Sequence, residues 1–193
     1  MSCLDWALRG RPIPGEIESG DLHVVDDQGD RCVLGVIDGL GHGPAAAKAA
    51  QAAAQGAIGS RGDLESIFAS CHASAKGTRG VAMSLAIVDV SGAMTWAGIG
   101  NVEAVVIKAS GRESLTLRGG VVGERLTPPR VTPLTIAFGD VIVFFSDGLR
   151  TAAIAAVSRL DAPPVIAAAL IDGFAKASDD ALVLVARFTG SPA

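Results

Sequence analysis

Tyrosine is absent from this 193-residue chain, and Trp and Phe together number only eight (two and six). With so few aromatic rings there is no stacking platform for nucleotide bases. Lysine occurs only at positions 48, 76, 108 and 176, and no Lys/Arg run is present. The net charge is −4. Both features argue against a nucleic-acid surface. The three cysteines, Cys3, Cys32 and Cys71, are odd in number and lack CxxC spacing. A disulfide framework or a zinc site is therefore not expected, and a reducing, cytoplasmic setting is. No stretch reaches the roughly 20 apolar residues of a membrane span, and Met1–Arg9 lacks the unbroken apolar core of a signal peptide.

What is present is aliphatic. Hydrophobic residues make up 49% of the chain, and the mean hydropathy is +0.43. That suits sheets buried on one whole face with helices that are covered too, and the length suits one domain over residues 1–193. Strands are expected at Leu22–Val25, Cys32–Ile37, Val81–Val90, Met94–Ile99, Val102–Ala109, Leu115–Arg118, Val141–Phe145 and Ala181–Ala186. Helices are expected from Pro44 to about Ile58, after a cap at Asp63, and from Pro163. Gly119–Pro133 reads as a loop and Gly190–Ala193 as a fraying tail. Strand blocks around a central helical pair predict an α+β fold, two antiparallel sheets sandwiched between helix layers.

The acids are distributed unevenly. Two apolar strands end alike, in Ile37-Asp38-Gly39 and Phe145-Ser146-Asp147-Gly148, and a third begins after Asp179-Asp180. If the third runs antiparallel to the others, these carboxylates gather at one sheet edge. A two-residue Gly29-Asp30 turn pairs Gln28 with Arg31 and, counting outward, Asp21 with Asp38. Taken singly, an Asp-Gly at a strand end is most often only a turn; the joint placement is what points to chemistry. Four bare carboxylates in so small a space repel one another, and divalent cations resolve the conflict. An all-oxygen set prefers Mg2+ or Mn2+ to zinc. Gly39 could add its carbonyl.

His42 follows closely enough to act as a proton donor, although a polar residue near a helix start is the blander reading. His23, His72 and Cys71 read as structural. Gly39-Leu-Gly-His-Gly-Pro44 lacks the spacing of a phosphate-binding nucleotide loop.

Ser19-Gly-Asp21, Asp38-Gly-Leu-Gly-His-Gly43, Phe145-Ser-Asp-Gly148 and Asp179-Asp-Ala181 resemble the ordered motifs of PP2C-type protein phosphatases. The GLGHG stretch is similar to the bacterial SpoIIE-like branch. Thr78-Arg-Gly-Val-Ala-Met83 and Ala97-Gly-Ile-Gly-Asn101 are most similar to its RsbX-like, stand-alone stressosome phosphatases, which lack a sensor domain. The resemblance implies a PP2C-like α-β-β-α sandwich and a Mn2+/Mg2+-dependent serine/threonine phosphatase. Asp38 would bridge two metals, the Gly39 carbonyl would serve the first, Asp147 and Asp179 the second, and Asp21 would act beside the first through water. Asp180 stands where many relatives have Asn and ranks below Asp179 as a ligand. No arginine is assigned to the phosphate. The implied partner is a phosphorylated STAS-domain stressosome protein, dephosphorylated as negative feedback in stress signalling. The other readings are a catalytically silent binding module on the same fold, expected to lack metal ligands, and a nucleotide-binding regulator, expected to be stabilised by ATP.

Overall fold

The structure, a computed structural model, describes residues 2–190; from Ser191 the expected fraying tail lies outside the described residues. In chain order its elements are β1 (Leu4–Arg11), β2 (Asp21–Asp27), β3 (Arg31–Gly39), α1 (Pro44–Ala57), α2 (Leu64–Ala75), β4 (Val81–Asp89), β5 (Ala93–Ile99), β6 (Glu103–Lys108), β7 (Gly111–Ser114), β8 (Thr132–Thr135), β9 (Val141–Phe145), a 3-10 turn (Thr151–Ala156), α3 (Pro163–Phe174) and β10 (Ala181–Phe188).

Ten strands form two five-stranded antiparallel sheets, ordered β1-β10-β9-β6-β7 and β2-β3-β4-β5-β8. Their facing sides enclose Leu34, Val36, Trp96, Ile142, Phe144 and Leu184. The opposite face of the second sheet presents Val33, Ile37, Met83 and Leu85 to α1 and α2. That of the first presents Val143, Phe145, Val183 and Val185 to α3. With both faces covered, the central strands are apolar without alternation, which is why β3, β9 and β10 read as continuous hydrophobic runs. The result is the expected α-β-β-α sandwich.

Small residues set the outer layer. The buried face of α1 is alanine and glycine, and a Cβ at Gly56 would lie 2.5 Å from the Cys71 backbone nitrogen of α2. Alanine lets the helices approach with little loss of side-chain entropy. Asp63 caps α2 as expected, its carboxylate accepting from Ser66 N at 2.9 Å.

The β2–β3 turn has the length the sequence predicts. Gly29 takes φ +88°, Gln28 N donates to the Arg31 carbonyl at 2.9 Å, and Asp21 lies opposite Asp38. Other expectations fail. Leu4–Arg11 is an edge strand that the mixed sequence LDWALRGR conceals. Leu115–Arg118 forms no strand; only isolated backbone contacts hold it, such as Arg118 N to Gly98 O at 3.0 Å. The Gly119–Pro133 loop runs into β8, where Pro133 is tolerated because β8 is an edge.

Candidate active site

The acids do not share one sheet edge. Asp38 ends β3 in one sheet, whereas Asp147 follows β9 and Asp179-Asp180 precede β10 in the other. β10 does run antiparallel to β9, so the site straddles both sheets at one end of the sandwich. A cleft of about 320 Å³ opens there, lined by Asp38, Leu40, Gly41, His42, Asn101, Asp147 and Asp179 among others.

The two Asp-Gly pairs have a packing reason rather than a turn reason, since neither Gly39 nor Gly148 has positive φ. A Cβ at Gly39 would stand 2.1 Å from the Ala46 carbonyl oxygen, and one at Gly148 1.7 Å from that of Asp180. Each glycine lets a neighbouring backbone cross directly behind the aspartate, fixing where its carboxylate emerges. Gly39 therefore does more than keep its carbonyl accessible.

A network fastens the site. Buried Ser146 donates its hydroxyl to Asp21 Oδ2 at 2.6 Å and accepts from Leu182 N at 3.0 Å. It thereby joins β10 of one sheet to the β2–β3 hairpin of the other. Asn101 Nδ2 donates to Asp147 Oδ2 at 2.6 Å, and Lys176 Nζ donates to the Asp147 carbonyl. Asp180 is 3% exposed, and both its oxygens accept backbone bonds, from Ile13 N at 2.7 Å and Gly20 N at 2.8 Å. It anchors the 13–20 segment beside the cleft. From that segment Glu16 Oε1 meets His42 Nδ1 at 2.8 Å.

Burial, reinforced by the surrounding carboxylates, lifts the Asp21 carboxyl to about 7 and the Asp38 carboxyl to about 8. The Ser146 hydroxyl opposes the rise at Asp21. Asp179 is raised by burial and by Asp147. Burial and like charge thus disfavour the charged carboxylates, and only at Asp179 does a cation, Lys176, pull the other way.

Among the described residues, no three His, Cys, Asp or Glu side chains already converge tightly enough to hold an ion. Hydrogen bonds account for part of that spacing, with Asp147 turned to Asn101 and Asp21 to Ser146. The donor chemistry still fits hard divalent cations: the oxygens are anionic, mutually repelling and open to a polar cleft.

The remaining candidates separate clearly. His42 lines the cleft. His72 accepts from Gly123 N at 2.9 Å, and His23 packs on Trp6 with ring centroids 5.9 Å apart; both are structural. Cys71 is fully buried in α2, and desolvation pushes its thiol up to about 12, which removes it as a nucleophile. Sequence reasoning gave no role to Ser146, Asn101, Lys176 or Glu16. The first two lie inside recognised motifs, but their partners are 125 and 46 residues away.

Two stacked antiparallel sheets with covering helices and carboxylates at one end define the PP2C-type serine/threonine phosphatase fold. The family model for Stage II sporulation protein E (SpoIIE) matches residues 28–189, and the chain belongs to that family. A solved chain described as "The bacterial stressosome: a modular system that has been adapted to control secondary messenger signaling" is 30% identical. The alignment covers 95% of this chain and 99% of that one, with a TM-score of 0.88. RsbX in complex with magnesium is 19% identical, with 96% of each chain covered and a TM-score of 0.87. The catalytic domain of the phosphatase PstP with two manganese ions is 18% identical, with 96% and 98% covered and a TM-score of 0.69. No curated protein matches. Among the described residues, no helix is long and apolar enough to cross a membrane.

Proposed function

We propose that the chain is a single phosphatase domain that hydrolyses phosphoserine or phosphothreonine on a regulatory partner, with Mn2+ or Mg2+ as cofactor. The observation that carries this reading is the Asp21–Asp38 pair, cross-strand neighbours whose carboxyls are both lifted by burial and by nearby acids. Asp38, the Gly39 carbonyl, Asp147 and Asp179 would hold two cations, with Asp21 acting through water. Bound there, the cations would supply Lewis acidity, easing deprotonation of water and offsetting phosphoryl charge.

The protein's own residues do the positioning. Asn101 orients Asp147, and Ser146 fixes Asp21 against Asp38. His42, steadied by Glu16, stands in the cleft where a serine or threonine oxygen would leave and need a proton. Buried Cys71 is no candidate nucleophile, and the family resemblance implies that water would attack phosphorus directly, without a phosphoenzyme.

Likeness to a chain described with the bacterial stressosome, over 95% of this sequence, supports a stressosome setting, and the motif resemblance implies a phosphorylated STAS-domain protein as the partner. Dephosphorylating it would be a negative-feedback step in stress signalling. Three buried cysteines, unpaired among the described residues, accord with a reducing cytoplasm.

Phosphate release from a phosphorylated STAS protein tests the reading. Turnover is expected with Mn2+ or Mg2+ and is expected to cease in excess chelator. Full activity in chelator would overturn the metal assignment, and no turnover with either ion would favour a silent binding module.

A further inference from the structure

Beside the active cleft lies a second groove, of about 370 Å³, lined by Ala45, Lys48, Gly77, Thr78 and Arg79. No acid lines it, although the chain as a whole is acidic. Among the described residues, neither Lys48 nor Arg79 makes an ion pair. The two clefts share a wall. Gly41 lines the active cleft, and the Arg79 guanidinium packs on it so closely that a Cβ at Gly41 would lie 2.7 Å from Nη1.

The loop bearing Arg79 is held rather than loose. Thr78 Oγ1 donates to the Ala75 carbonyl at 2.6 Å and accepts from Gly80 N at 3.1 Å. Leu40 N donates to the Gly80 carbonyl at 3.1 Å, tying the loop to the segment that follows Asp38. Lys48 approaches from the other side, on α1. Two unpaired cations thus face one concavity, and a fixed backbone places that concavity next to the reacting centre.

We infer that this groove is a specificity subsite for an anionic side chain flanking the phosphoresidue of the substrate. The inference rests on the proposed phosphatase function and adds what selects the substrate. The planar Arg79 guanidinium can take a carboxylate or a second phosphate through two parallel bonds, and Lys48 adds a point charge. The site reads charge beside the phosphoresidue, so its effect falls on affinity and weakens with salt.

Three phosphoserine peptides identical except for Glu, Ala or a second phosphoserine in the flanking positions test this, each assayed by phosphate release with Mn2+ and by fluorescence anisotropy in chelator. The wild-type protein is expected to favour the acidic peptides over the Ala peptide roughly tenfold in kcat/KM, mainly through KM. That preference is expected to shrink between about 50 and about 300 mM salt. In Arg79→Ala/Lys48→Ala the ratio should fall towards one, and Arg79→Lys should recover part of it. Lys108→Ala, which removes a charge paired with Glu113 in the other sheet and outside the groove lining, should leave the ratio as it is. Comparison of the Glu and second-phosphoserine peptides identifies which anion the groove takes. Equal handling of all three peptides by the wild type, or an unchanged preference in the double variant, would overturn the subsite. Should no peptide be hydrolysed, the phosphatase reading fails, and anisotropy alone then decides the groove by the same ratios.

Discussion

Asp38→Asn is expected to lower kcat on the order of a thousandfold, equivalent to about 4 kcal/mol of transition-state stabilisation, in a protein that remains folded. In the proposed reading Asp38 would serve both cations, and the amide that replaces it is neutral and a weaker ligand for a hard ion. Shape is almost unchanged, so packing against Asp21 survives. The substitution also removes a buried carboxyl whose charged form is disfavoured by burial and by Asp21, Asp147, Asp179 and Asp180, so the metal-free variant should melt no lower than the wild type. Asp147→Asn is expected to act in the same direction from the other sheet. Phosphate release at saturating Mn2+, with circular dichroism melting in chelator, checks both halves. Near-normal turnover at low metal in either variant would remove that residue from the ligand set.

The metal-free wild type is expected to lose stability as pH rises from about 5.5 to about 8.5. Asp21 and Asp38 have folded-state values near 7 and 8, above the ordinary carboxylate range. Through this window the folded state holds protons that the unfolded chain has already released. The stabilisation is complete below the unfolded value and disappears as pH passes the folded ones. Asp27, Asp30 and Asp63 are shifted the other way by hydrogen bonds, from Gly29 N, Arg61 and Ser66 respectively. Their contribution is lost only as pH falls below the ordinary range, so they do not oppose the trend here; His23, lowered by burial, opposes it only up to the ordinary histidine value of about 6.5. The loss is on the order of a few kcal/mol, roughly 10 °C in melting temperature for a chain of this size. Mn2+ should restore the loss at the alkaline end, and Asp38→Asn should flatten the slope. Differential scanning calorimetry across the range measures it, and a melting temperature that rises with pH in chelator would contradict the account.

Features set by local rules were legible in the sequence. The Gly29-Asp30 turn imposed the Asp21–Asp38 register, Pro44 and Asp63 marked helix starts, and apolar runs located β3, β9 and β10. What depended on distant partners was not. Nothing local tells that β3 and β9 belong to different sheets, so the acids looked like neighbours on one edge when they meet across the sandwich. β1 was hidden because an edge strand whose Asp5, Trp6 and Arg9 are exposed carries a broken pattern. The packing role of Gly39 and Gly148 could not be read locally, because the carbonyls that exclude a side chain there belong to Ala46 and Asp180. The same holds for Asp180 itself. Its place beside Asp179 suggested a lesser ligand, whereas both its oxygens are taken by Ile13 and Gly20 backbone groups.

Crystals soaked in Mn2+ and measured near the manganese absorption edge test the central claim most directly. Two anomalous peaks are expected at the shared end of the sheets, one reached by Asp38 and the Gly39 carbonyl and the other by Asp38, Asp147 and Asp179. An acid cluster with no peak at millimolar Mn2+, or peaks only elsewhere on the surface, would contradict it.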